Sequence, residues 1–488
     1  MGDSRYWSAT ECVSALRDGD VSAVELVDEA IARIEALNPR LNIVVATSFE
    51  RARSKAITAD AALAGGEPVG PLQGLPITVK DSFETADLVT TCGAPEFRDH
   101  TPESDAVAVE RLTKAGAIVL GKTNVPLFAS DWQSYNAVYG LTRNPWDPER
   151  TVGGSSGGAA AALAAGLVPL EVGSDIAGSI RIPAHFCGVY GHKSSHGIIP
   201  LRGHIPGPPG ALAAPDLMVA GPMARSPQDL GLALRLMAGA GTLSASGWNL
   251  ELPPPRGRAL KDLRVAYWFD DPRSPLEGAV RAELEATVDV LRPKTNVVEI
   301  EIPFTLDEVL GIYAPLLMSM FTDRLPAPVR YLATAASPLT RLSERLGLNR
   351  DPVRSGTRTG TGLSHHDWLD LNERRMRLRW ACRRLFSDID VLLTPVAAFA
   401  APHHNTRGNL YTRSLRVDGE RRLYTDHFSW IALATTAYLP ATSAPIGTTP
   451  DGLPVNVQII GDYLDDQTTI QFAELLAEVR GGFQPPPC

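Results

Sequence analysis

The stretch Gly74-Leu-Pro-Ile-Thr-Val-Lys-Asp81 indicates the fold class of this 488-residue chain. Its segment Leu75–Val79 is a short apolar run with β-branched residues, which is typical of a buried strand. Ala117-Ile-Val-Leu120 is a second run of this kind, and Asp105–Ala115 between the two has helical spacing. Strands that alternate with helices in this way predict a layered α/β fold.

Similar patterns extend to both sides of this stretch. Ser22-Ala-Val-Glu25 is a capping box that opens a helix to about Leu37, which we expect to stop at Asn38-Pro39. Residues 303–388 have a mainly helical pattern, as expected of a section that caps a cleft. The other predicted elements are helices at about 48–64, 159–167 and 277–292 and strands at 263–268, 390–395 and 455–460.

Composition and charge exclude several classes of protein. The chain is 44% apolar and 21% charged, and its net charge of −9 argues against nucleic acid or an acidic membrane as the main partner. Five widely spaced cysteines predict no disulfide framework, which fits a reducing cytoplasm. The polar start Met-Gly-Asp-Ser-Arg-Tyr has no apolar segment typical of a secretory signal, and no apolar stretch is long enough to span a membrane. We therefore expect a soluble cytoplasmic protein.

Two serines lie in glycine-rich segments further along the chain. Ser155 stands in Gly153-Gly-Ser-Ser-Gly-Gly158, and Ser179 follows it 24 residues later in Gly173-Ser-Asp-Ile-Ala-Gly-Ser-Ile-Arg181. Glycine allows close backbone approach, so that main-chain N–H groups can point at a reacting oxygen. The pair therefore indicates a nucleophile and its surroundings rather than two flexible turns.

Lysine is rare in this chain, which makes each buried lysine a candidate base. Of 46 basic residues only seven are lysine. Arginine cannot give up its proton in a protein, whereas a desolvated lysine can become a neutral amine. Lys80 ends the apolar run Leu75–Val79, while Lys122 and Lys193 also stand in motif-like sequence. Spacing alone does not choose among these three.

Six ordered motifs resemble those of the amidase signature family. They are Gly74–Asp81, Gly121-Lys-Thr-Asn124, Asn144-Pro-Trp-Asp147, Gly153–Gly158, Gly173–Arg181 and Cys187-Gly-Val-Tyr-Gly-His-Lys193. The densest resemblance covers residues about 70–200, and a weaker one extends over the rest of the chain. It implies a single domain over residues 1–488, built on a central mixed β-sheet with helices on both faces and a helical cap at about 303–388.

The resemblance also implies the catalytic residues. The family's Ser–cis-Ser–Lys triad falls on Ser179, Ser155 and Lys80, with Ser179 as nucleophile, Ser155 as proton relay and Lys80 as neutral base. The cis peptide bond would precede Ser155. The oxyanion hole would use backbone N–H groups among Ile176, Ala177, Gly178 and Ser179. No cofactor and no metal is implied.

The chain departs from the family pattern at three positions. Ala177 stands where glycine is common, Ser194 replaces a proline that follows the motif lysine, and His192 occupies a commonly apolar position. None of these positions belongs to the triad. We expect them to affect the shape of the pocket or the stability of the fold.

Other functions remain open from the sequence. Gly153–Gly157 also satisfies the Gly-x-Ser-x-Gly elbow of α/β-hydrolases, which would make Ser155 the nucleophile of an esterase but needs a strand directly before it. A phosphate-binding loop is excluded because no Gly-Lys-Ser/Thr follows. His192 and His196 are flanked by glycines and do not predict a helical metal pair. A glutaminase-like subunit of a tRNA-dependent amidotransferase resembles the same family.

The expected substrate is a small-molecule amide or carbamate, handled by a monomer or homodimer. The acyl pocket is predicted to draw on the segment from Asp131 to Tyr139, on the cap and on the segment near Thr394. Aromatic side chains there favour an aryl or aliphatic amide, with esters or carbamates (a urethanase-type activity) as related substrates. The candidate binding residues are Asp131, Trp132, Tyr135, Tyr139 and Thr394.

Overall fold

A computed structural model describes residues 4–205, 209–322, 327–328, 331–332, 335 and 351–487. Eleven strands form one sheet in the order β1-β3-β2-β6-β8-β7-β14-β15-β11-β9-β10. Two further pairs, β4 with β5 and β12 with β13, form small hairpins. The strands are β1 (Val44–Thr47), β2 (Pro76–Lys80), β3 (Ile118–Thr123), β4 (Tyr135–Asn136), β5 (Gly140–Leu141), β6 (Leu170–Asp175), β7 (Tyr190–Lys193), β8 (Val219–Ala224), β9 (Arg264–Tyr267), β10 (Asn296–Val297), β11 (Val391–Pro395), β12 (Ser414–Val417), β13 (Glu420–Leu423), β14 (Ala441–Thr448) and β15 (Pro454–Ile460).

The large sheet is mixed. Strand β2 pairs in parallel with β3 and β6, and β9 pairs in parallel with β10 and β11. Antiparallel pairs join these two parallel parts through β8, β7, β14 and β15. The strands that adjoin the candidate site, β2 and β6, are buried over their whole length, as the apolar run Leu75–Val79 predicts for β2. The predicted α/β fold with a mixed central sheet is confirmed.

The α-helices lie between the strands in sequence. They are α1 (Ala9–Asp18), α2 (Ala23–Leu41), α3 (Phe49–Ala64), α4 (Val107–Lys114), α5 (Gly157–Ala164), α6 (Arg181–Cys187), α7 (Pro227–Met237), α8 (Gly278–Leu291), α9 (Leu306–Ser319), α10 (Pro352–Thr361), α11 (His365–Asp388), α12 (Phe428–Thr436) and α13 (Asp466–Arg480). The predicted cap at 303–388 contains α9, α10 and α11. Its residues 323–326, 329–330, 333–334 and 336–350 lie outside the described part of the chain.

The predicted capping box is confirmed, but the end of that helix is wrong by one turn. The Ser22 hydroxyl accepts a hydrogen bond from the Glu25 amide, and the Glu25 carboxylate accepts one from the Ser22 amide. The helix then passes Asn38-Pro39 and ends at Leu41. Only the final turn follows the proline, so a single backbone hydrogen bond is lost. The Asn38 side chain accepts hydrogen bonds from the amides of Ile43 and Val44 and so holds the chain that leaves the helix.

Candidate active site

Two parallel strands bring Lys80 and Ser174 to the same edge of the sheet. Lys80 is the last residue of β2, and β6 continues through Ser174 to Asp175. The strands are in register with Thr78 opposite Glu171. Because the carboxyl ends of parallel strands lie at one edge, the lysine and the serine become neighbours.

Lys80 contacts two serine hydroxyls. Its Nζ lies 2.7 Å from Ser155 Oγ and 2.9 Å from Ser174 Oγ, and the side chain is fully buried. Burial lowers the pKa of Lys80 from 10.5 to about 7, although the carboxyl groups of Asp175 and Glu171 act in the opposite direction. A substantial fraction of Lys80 is therefore a neutral amine near neutral pH.

The two other motif lysines are engaged elsewhere. Lys122 donates hydrogen bonds to the Phe83 carbonyl and to Thr85 Oγ1, and Lys193 donates to the Leu439 carbonyl. Burial lowers the pKa of both, to about 8 for Lys122 and about 7 for Lys193. The pKa values alone do not separate the three lysines. The contact with Ser155 does, and it favours Lys80.

Ser155 and Ser179 meet through the backbone at the start of α5. The peptide bond between Gly154 and Ser155 is cis, as the family resemblance implies. The Ser156 amide donates a 3.0 Å hydrogen bond to the Ser179 carbonyl. A Cβ atom on Gly154 would lie 2.4 Å from the Asp131 carbonyl oxygen, so only glycine fits before the cis bond. Both serines are nearly buried.

The turn 176–179 is fixed by hydrogen bonds to its carbonyl groups. The Tyr313 hydroxyl donates to the Ile176 carbonyl at 2.9 Å, and the Trp132 indole donates to the Ala177 carbonyl at 2.7 Å. In a trans peptide the N–H points away from the C=O, so these contacts also orient the amides that follow. The amides of Ile176, Ala177 and Ser179 have no acceptor among the described residues.

The Gly178 amide is already engaged by a carboxylate. It donates to Asp175 Oδ1 at 2.9 Å, which leaves three of the four predicted oxyanion-hole amides available. Arg181 forms a fully buried ion pair with Asp175. Burial alone would raise the pKa of Asp175, but the Arg181 guanidinium lowers it to about 2. The pair therefore fixes the turn by charge-assisted hydrogen bonds.

A mainly apolar cavity of about 290 Å³ adjoins Ser179. Asp131 and Trp132 line it, and their role in substrate binding stays a prediction. The Asp131 carboxylate accepts hydrogen bonds from Arg413 and from the Tyr424 hydroxyl. The remaining lining residues are Leu127, Phe128, Ala129, Ser130, Ile176, Ala177, Leu317, Met318, Phe321, Leu410, Tyr411 and Phe428.

Three of the predicted binding residues do not line this cavity. The Tyr135 hydroxyl accepts a hydrogen bond from Arg413, behind Asp131. Tyr139 is half-buried, and its carbonyl accepts a hydrogen bond from the Asn42 side chain. Thr394 is buried in β11, where its hydroxyl accepts a hydrogen bond from Gln458. Each of the three has contacts with other protein groups, and none of them lines the cavity beside Ser179.

Sequence reasoning named Tyr313 only as an aromatic residue of the cap region, and it assigned no supporting role to any of the residues that hold the site. Ser174 stands inside the motif Gly173–Arg181, and the pairing of its strand with β2 could have identified it as a neighbour of Lys80. Tyr313 lies in the predicted cap, but only the tertiary structure brings α9 to the turn. His204, which lies 2.8 Å from Ser174 Oγ, belongs to no motif at all.

His192 and His196, which do not predict a helical metal pair, have other partners in the structure. His192 contacts Asp466 and Thr442, and His196 stacks on Tyr438. Within the described ranges, no group of three or more His, Cys, Asp or Glu side chains is arranged to hold a metal ion. No helix in the part of the chain that the structure covers is long and apolar enough to cross a membrane.

The α/β-hydrolase elbow does not fit the described geometry. Among residues 142–156, only isolated bridges at Arg143, Arg150 and Thr151 precede Ser155, and no strand leads directly into it. The elbow needs such a strand to expose its nucleophile at a sharp strand-to-helix turn. The described geometry therefore does not support the esterase alternative with Ser155 as nucleophile.

Comparison with known proteins identifies the family. The family model described as Amidase matches residues 25–470. A glutamyl-tRNA(Gln) amidotransferase subunit of Synechococcus sp. (strain CC9902) is 34% identical over 480 residues, covering 94% of this chain and 93% of that protein. A solved structure from a vestigial protein complex, described as revealing the origins of an s-triazine catabolic enzyme, is 28% identical with a TM-score of 0.79 and covers 99% of this chain and 100% of its own. A bacterial aryl acylamidase of the amidase signature family shares the fold, with a TM-score of 0.78 at 24% identity over 97% of this chain and 96% of that one. This chain belongs to the amidase signature family.

Proposed function

We propose that this chain hydrolyses carboxylic amide bonds through an acyl-enzyme on Ser179. The observation that carries the proposal is the 2.7 Å contact between Ser155 Oγ and the buried Nζ of Lys80. A serine hydroxyl is a weak nucleophile at its own pKa and needs a base. Lys80, with a pKa lowered by burial to about 7, supplies that base at neutral pH.

In the first step, Ser179 Oγ forms a bond to the substrate carbonyl carbon, and the π electrons move onto the carbonyl oxygen. The Ser179 proton passes to Ser155 Oγ, and the Ser155 hydroxyl proton passes to the lone pair of Lys80. The negative oxygen is stabilised by backbone N–H groups of Ile176, Ala177 and Ser179. Removing one donor of this kind costs roughly 100-fold or more in rate.

In the second step, the oxyanion re-forms the carbonyl and the C–N bond breaks with its electron pair on nitrogen. The proton held by Lys80 returns through Ser155 to that nitrogen, because an unprotonated amine anion is a very poor leaving group. Water then attacks the Ser179 ester through the same relay. The products are a carboxylic acid and an amine.

The cavity favours an apolar acyl group. Among the described lining residues only the side chains of Asp131 and Tyr411 are ionisable, and Asp131 is paired with Arg413. The Arg413 side chain is itself 3% exposed and also contacts Tyr135. The described residues that line the cavity thus offer no free cation for a substrate carboxylate, whereas apolar walls suit aryl or aliphatic chains. Esters and carbamates, as in a urethanase-type activity, present the same carbonyl chemistry.

The second candidate function is that of a glutaminase-like component of an amidotransferase complex. It is favoured by the 34% identity to the Synechococcus glutamyl-tRNA(Gln) amidotransferase protein. Glutamine carries a charged carboxylate and ammonium group, for which the apolar cavity offers little compensation. We therefore place this candidate second. Action as a monomer or homodimer in the cytoplasm stays a prediction from the sequence.

A panel of chromogenic anilides, esters and carbamates tests the proposal, with mass spectrometry to locate the acyl group. We expect acylation of Ser179 in the wild type, and loss of hydrolysis in Ser179→Ala and Lys80→Ala with the fold retained. Ser194→Ala is a matched control, because this buried serine donates to the Ala220 carbonyl away from the site. Full activity in either catalytic variant, or acylation of Ser155, contradicts the mechanism.

Glutamine hydrolysis by the isolated chain separates the two candidates. We expect kcat/KM for an apolar anilide to exceed that for glutamine by at least about 100-fold, because burying a substrate charge without a partner costs about 3 kcal/mol or more. Preferred hydrolysis of glutamine, or activity only with added partner proteins, favours the amidotransferase role.

A further inference from the structure

A continuous chain of side-chain contacts extends beyond Lys80 to a histidine. Ser174 Oγ lies 2.9 Å from Lys80 Nζ and 2.8 Å from His204 Nε2. His204 is 7% exposed, so water competes little for these contacts. The chain therefore connects Ser155, Lys80, Ser174 and His204 in that order.

The backbone fixes His204 in place. The Glu84 amide donates to the Gly203 carbonyl at 2.8 Å, and the Ile205 amide donates to the Ser82 carbonyl at 2.8 Å. The imidazole also makes an edge-on contact with Phe83, with ring centroids 4.6 Å apart. The ring is thus held against the segment that follows β2, the strand that carries Lys80.

The numbers of hydrogen-bond donors and acceptors determine in which direction each contact of this series donates. A neutral lysine amine has two N–H donors and one lone pair. To accept the Ser155 proton, Lys80 must point its lone pair at Ser155 Oγ and donate to Ser174 Oγ and to the Ser174 carbonyl, 3.4 Å away. The Ser174 hydroxyl then has its own proton left to donate. Its acceptor is His204 Nε2.

The opposite direction would leave Lys80 without a free lone pair for Ser155. If His204 Nε2 carried a proton and donated it to Ser174 Oγ, Lys80 Nζ would be the sole described acceptor left for the Ser174 hydroxyl proton. The lone pair of Lys80 would then be occupied by Ser174 and could not accept the proton of Ser155. Which nitrogen of His204 carries the proton therefore determines whether the lone pair of Lys80 points at Ser155.

We propose that His204, protonated on Nδ1, is a positioning residue that directs the lone pair of Lys80 at Ser155 through Ser174. This inference rests on the proposed function, because it assumes that Lys80 is the base. His204 touches neither substrate nor the reacting atoms. It acts on the orientation of a group that does.

Ser82 is a second neighbour of the same nitrogen and provides a control. Its Oγ lies 3.1 Å from His204 Nε2, further than that of Ser174. Ser82 has no described contact with Lys80 or with either catalytic serine. Removing the Ser82 hydroxyl should leave the direction of the hydrogen bonds between Lys80, Ser174 and His204 unchanged.

The test is the rate at which a fluorophosphonate probe labels Ser179 at about pH 8, above the Lys80 pKa of about 7. We expect His204→Met, which offers no comparable acceptor, to lower the rate about tenfold or more, since a misdirected base behaves like a misplaced one. His204→Gln has a similar size but presents an amide oxygen, and it should label within about threefold of wild type. Ser82→Ala should label within about twofold of wild type, as expected for a substitution outside the series of contacts from Ser155 to His204.

A double-mutant cycle separates positioning from packing. In a Ser174→Ala background the series of contacts between Lys80 and His204 is already interrupted. His204→Met should therefore cause little further loss of labelling rate. Wild-type labelling in His204→Met overturns the inference, and so does an undiminished effect of His204→Met in the Ser174→Ala background. Labelling of Ser155, or no labelling of wild-type Ser179, contradicts the proposed function itself.

A measurement on the wild-type protein keeps the inference testable if His204→Met fails to fold. Nitrogen NMR of the imidazole, assigned by its loss in His204→Gln, reports which nitrogen carries the proton. We expect protonated Nδ1 and unprotonated Nε2 at about pH 8. The reverse tautomer, or a doubly protonated ring, overturns the inference.

Discussion

At the scale of the residue, burial alone does not define the catalytic base. Lys80, Lys122 and Lys193 are all fully buried, and burial lowers the pKa of each. Only Lys80 has a described contact with a serine hydroxyl of the glycine-rich motifs. Lys193 donates to backbone carbonyls, which have no proton to give, and Lys122 donates to the Phe83 carbonyl and to the Thr85 hydroxyl, outside the glycine-rich motifs. The role of a lysine therefore follows from its partner as much as from its pKa.

The pKa of Lys80 predicts the pH dependence of acylation. Burial lowers this pKa from 10.5 to about 7, and only the neutral amine accepts the relayed proton. The rate of Ser179 labelling should therefore fall about tenfold per pH unit below pH 7 and reach a plateau above it. Stopped-time labelling between about pH 5 and 9, with melting curves at each pH, measures this profile.

Lys80→Arg is the matched variant for that profile. A guanidinium does not lose its proton between about pH 5 and 9. The rate of Ser179 labelling in this variant should therefore stay low over the whole range, as it does in the wild type at low pH. A wild-type rate that does not change below pH 7, or a midpoint near the unperturbed value of 10.5, contradicts Lys80 as the base.

The catalytic residues are easier to predict from the sequence than the residues that hold them in place. Lys80, Ser155 and Ser179 stand in short motifs whose order and spacing are read directly. Tyr135, Tyr139 and Thr394 are predicted only from composition near the motifs, and none of them lines the described cavity. His204 and Ser174 meet across 30 positions of sequence, a contact that depends on backbone hydrogen bonds between distant segments.

At the scale of the element, the cap helix α9 is coupled to the oxyanion turn. Tyr313 is buried in α9 and donates to the Ile176 carbonyl. The Ala177 amide belongs to the same peptide unit, so the contact orients a proposed oxyanion donor. The position of the cap thereby affects the geometry of the reacting centre.

We predict that Tyr313→Phe lowers kcat about 2–10-fold and leaves KM nearly unchanged. The variant loses one hydrogen bond, worth about 0.5–1.5 kcal/mol, to a carbonyl that orients the transition-state donor. Steady-state kinetics on the best anilide of the panel measures both constants. Tyr190→Phe is the control, because Tyr190 is a buried tyrosine of β7 outside the cavity. A rise in KM at constant kcat would instead place Tyr313 in substrate binding.

Element prediction succeeded where hydrophobic runs were long and failed in glycine-rich sequence. The runs around β2, β3, β11 and β15 identified strands to within a few residues. Strands β6 and β7 and helix α6 lie in the Gly- and Ser-rich section 127–221, where local pattern predicted only α5. These elements are fully buried, and the two strands are stabilised by pairing with β8 and β14 rather than by propensity.

At the scale of the whole molecule, the sheet order brings distant segments of the chain together. Strand β7 pairs with β14, so residues near 190 meet residues near 442. Helix α13 then joins this region through a buried cluster in which Asp466 contacts His192 and Ser195. The departures from the family pattern at His192 and in the segment after Lys193 are thus partnered by the C-terminal helix. Local pattern carries no information about such pairing, because sheet order depends on contacts across hundreds of residues.

We predict that Asp466→Asn lowers the free energy of unfolding at pH 7 by about 2 kcal/mol, the value typical of a buried hydrogen bond to a charged group. The Asp466 carboxylate lies 3.0 Å from His192 Nε2 and 2.6 Å from Ser195 Oγ, with both members of the His–Asp pair fully buried. Burial alone would raise the pKa of Asp466, but His192 and Ser195 lower it below 3.8. The stabilisation is therefore complete above pH 3.8 and is lost as the pH falls below it.

Denaturant unfolding at pH 7 and at about pH 3 measures this contribution, with Asp289→Asn on the exposed face of α8 as the control. The control should change stability by less than about 0.5 kcal/mol, as expected of a surface substitution. Folded Asp466→Asn should label Ser179 at the wild-type rate, because none of the described contacts of Asp466 reaches Lys80 or Ser155. An unchanged unfolding midpoint at pH 7 contradicts a stabilising role for the cluster, whereas a slower labelling rate in the folded variant would connect the C-terminal helix to catalysis.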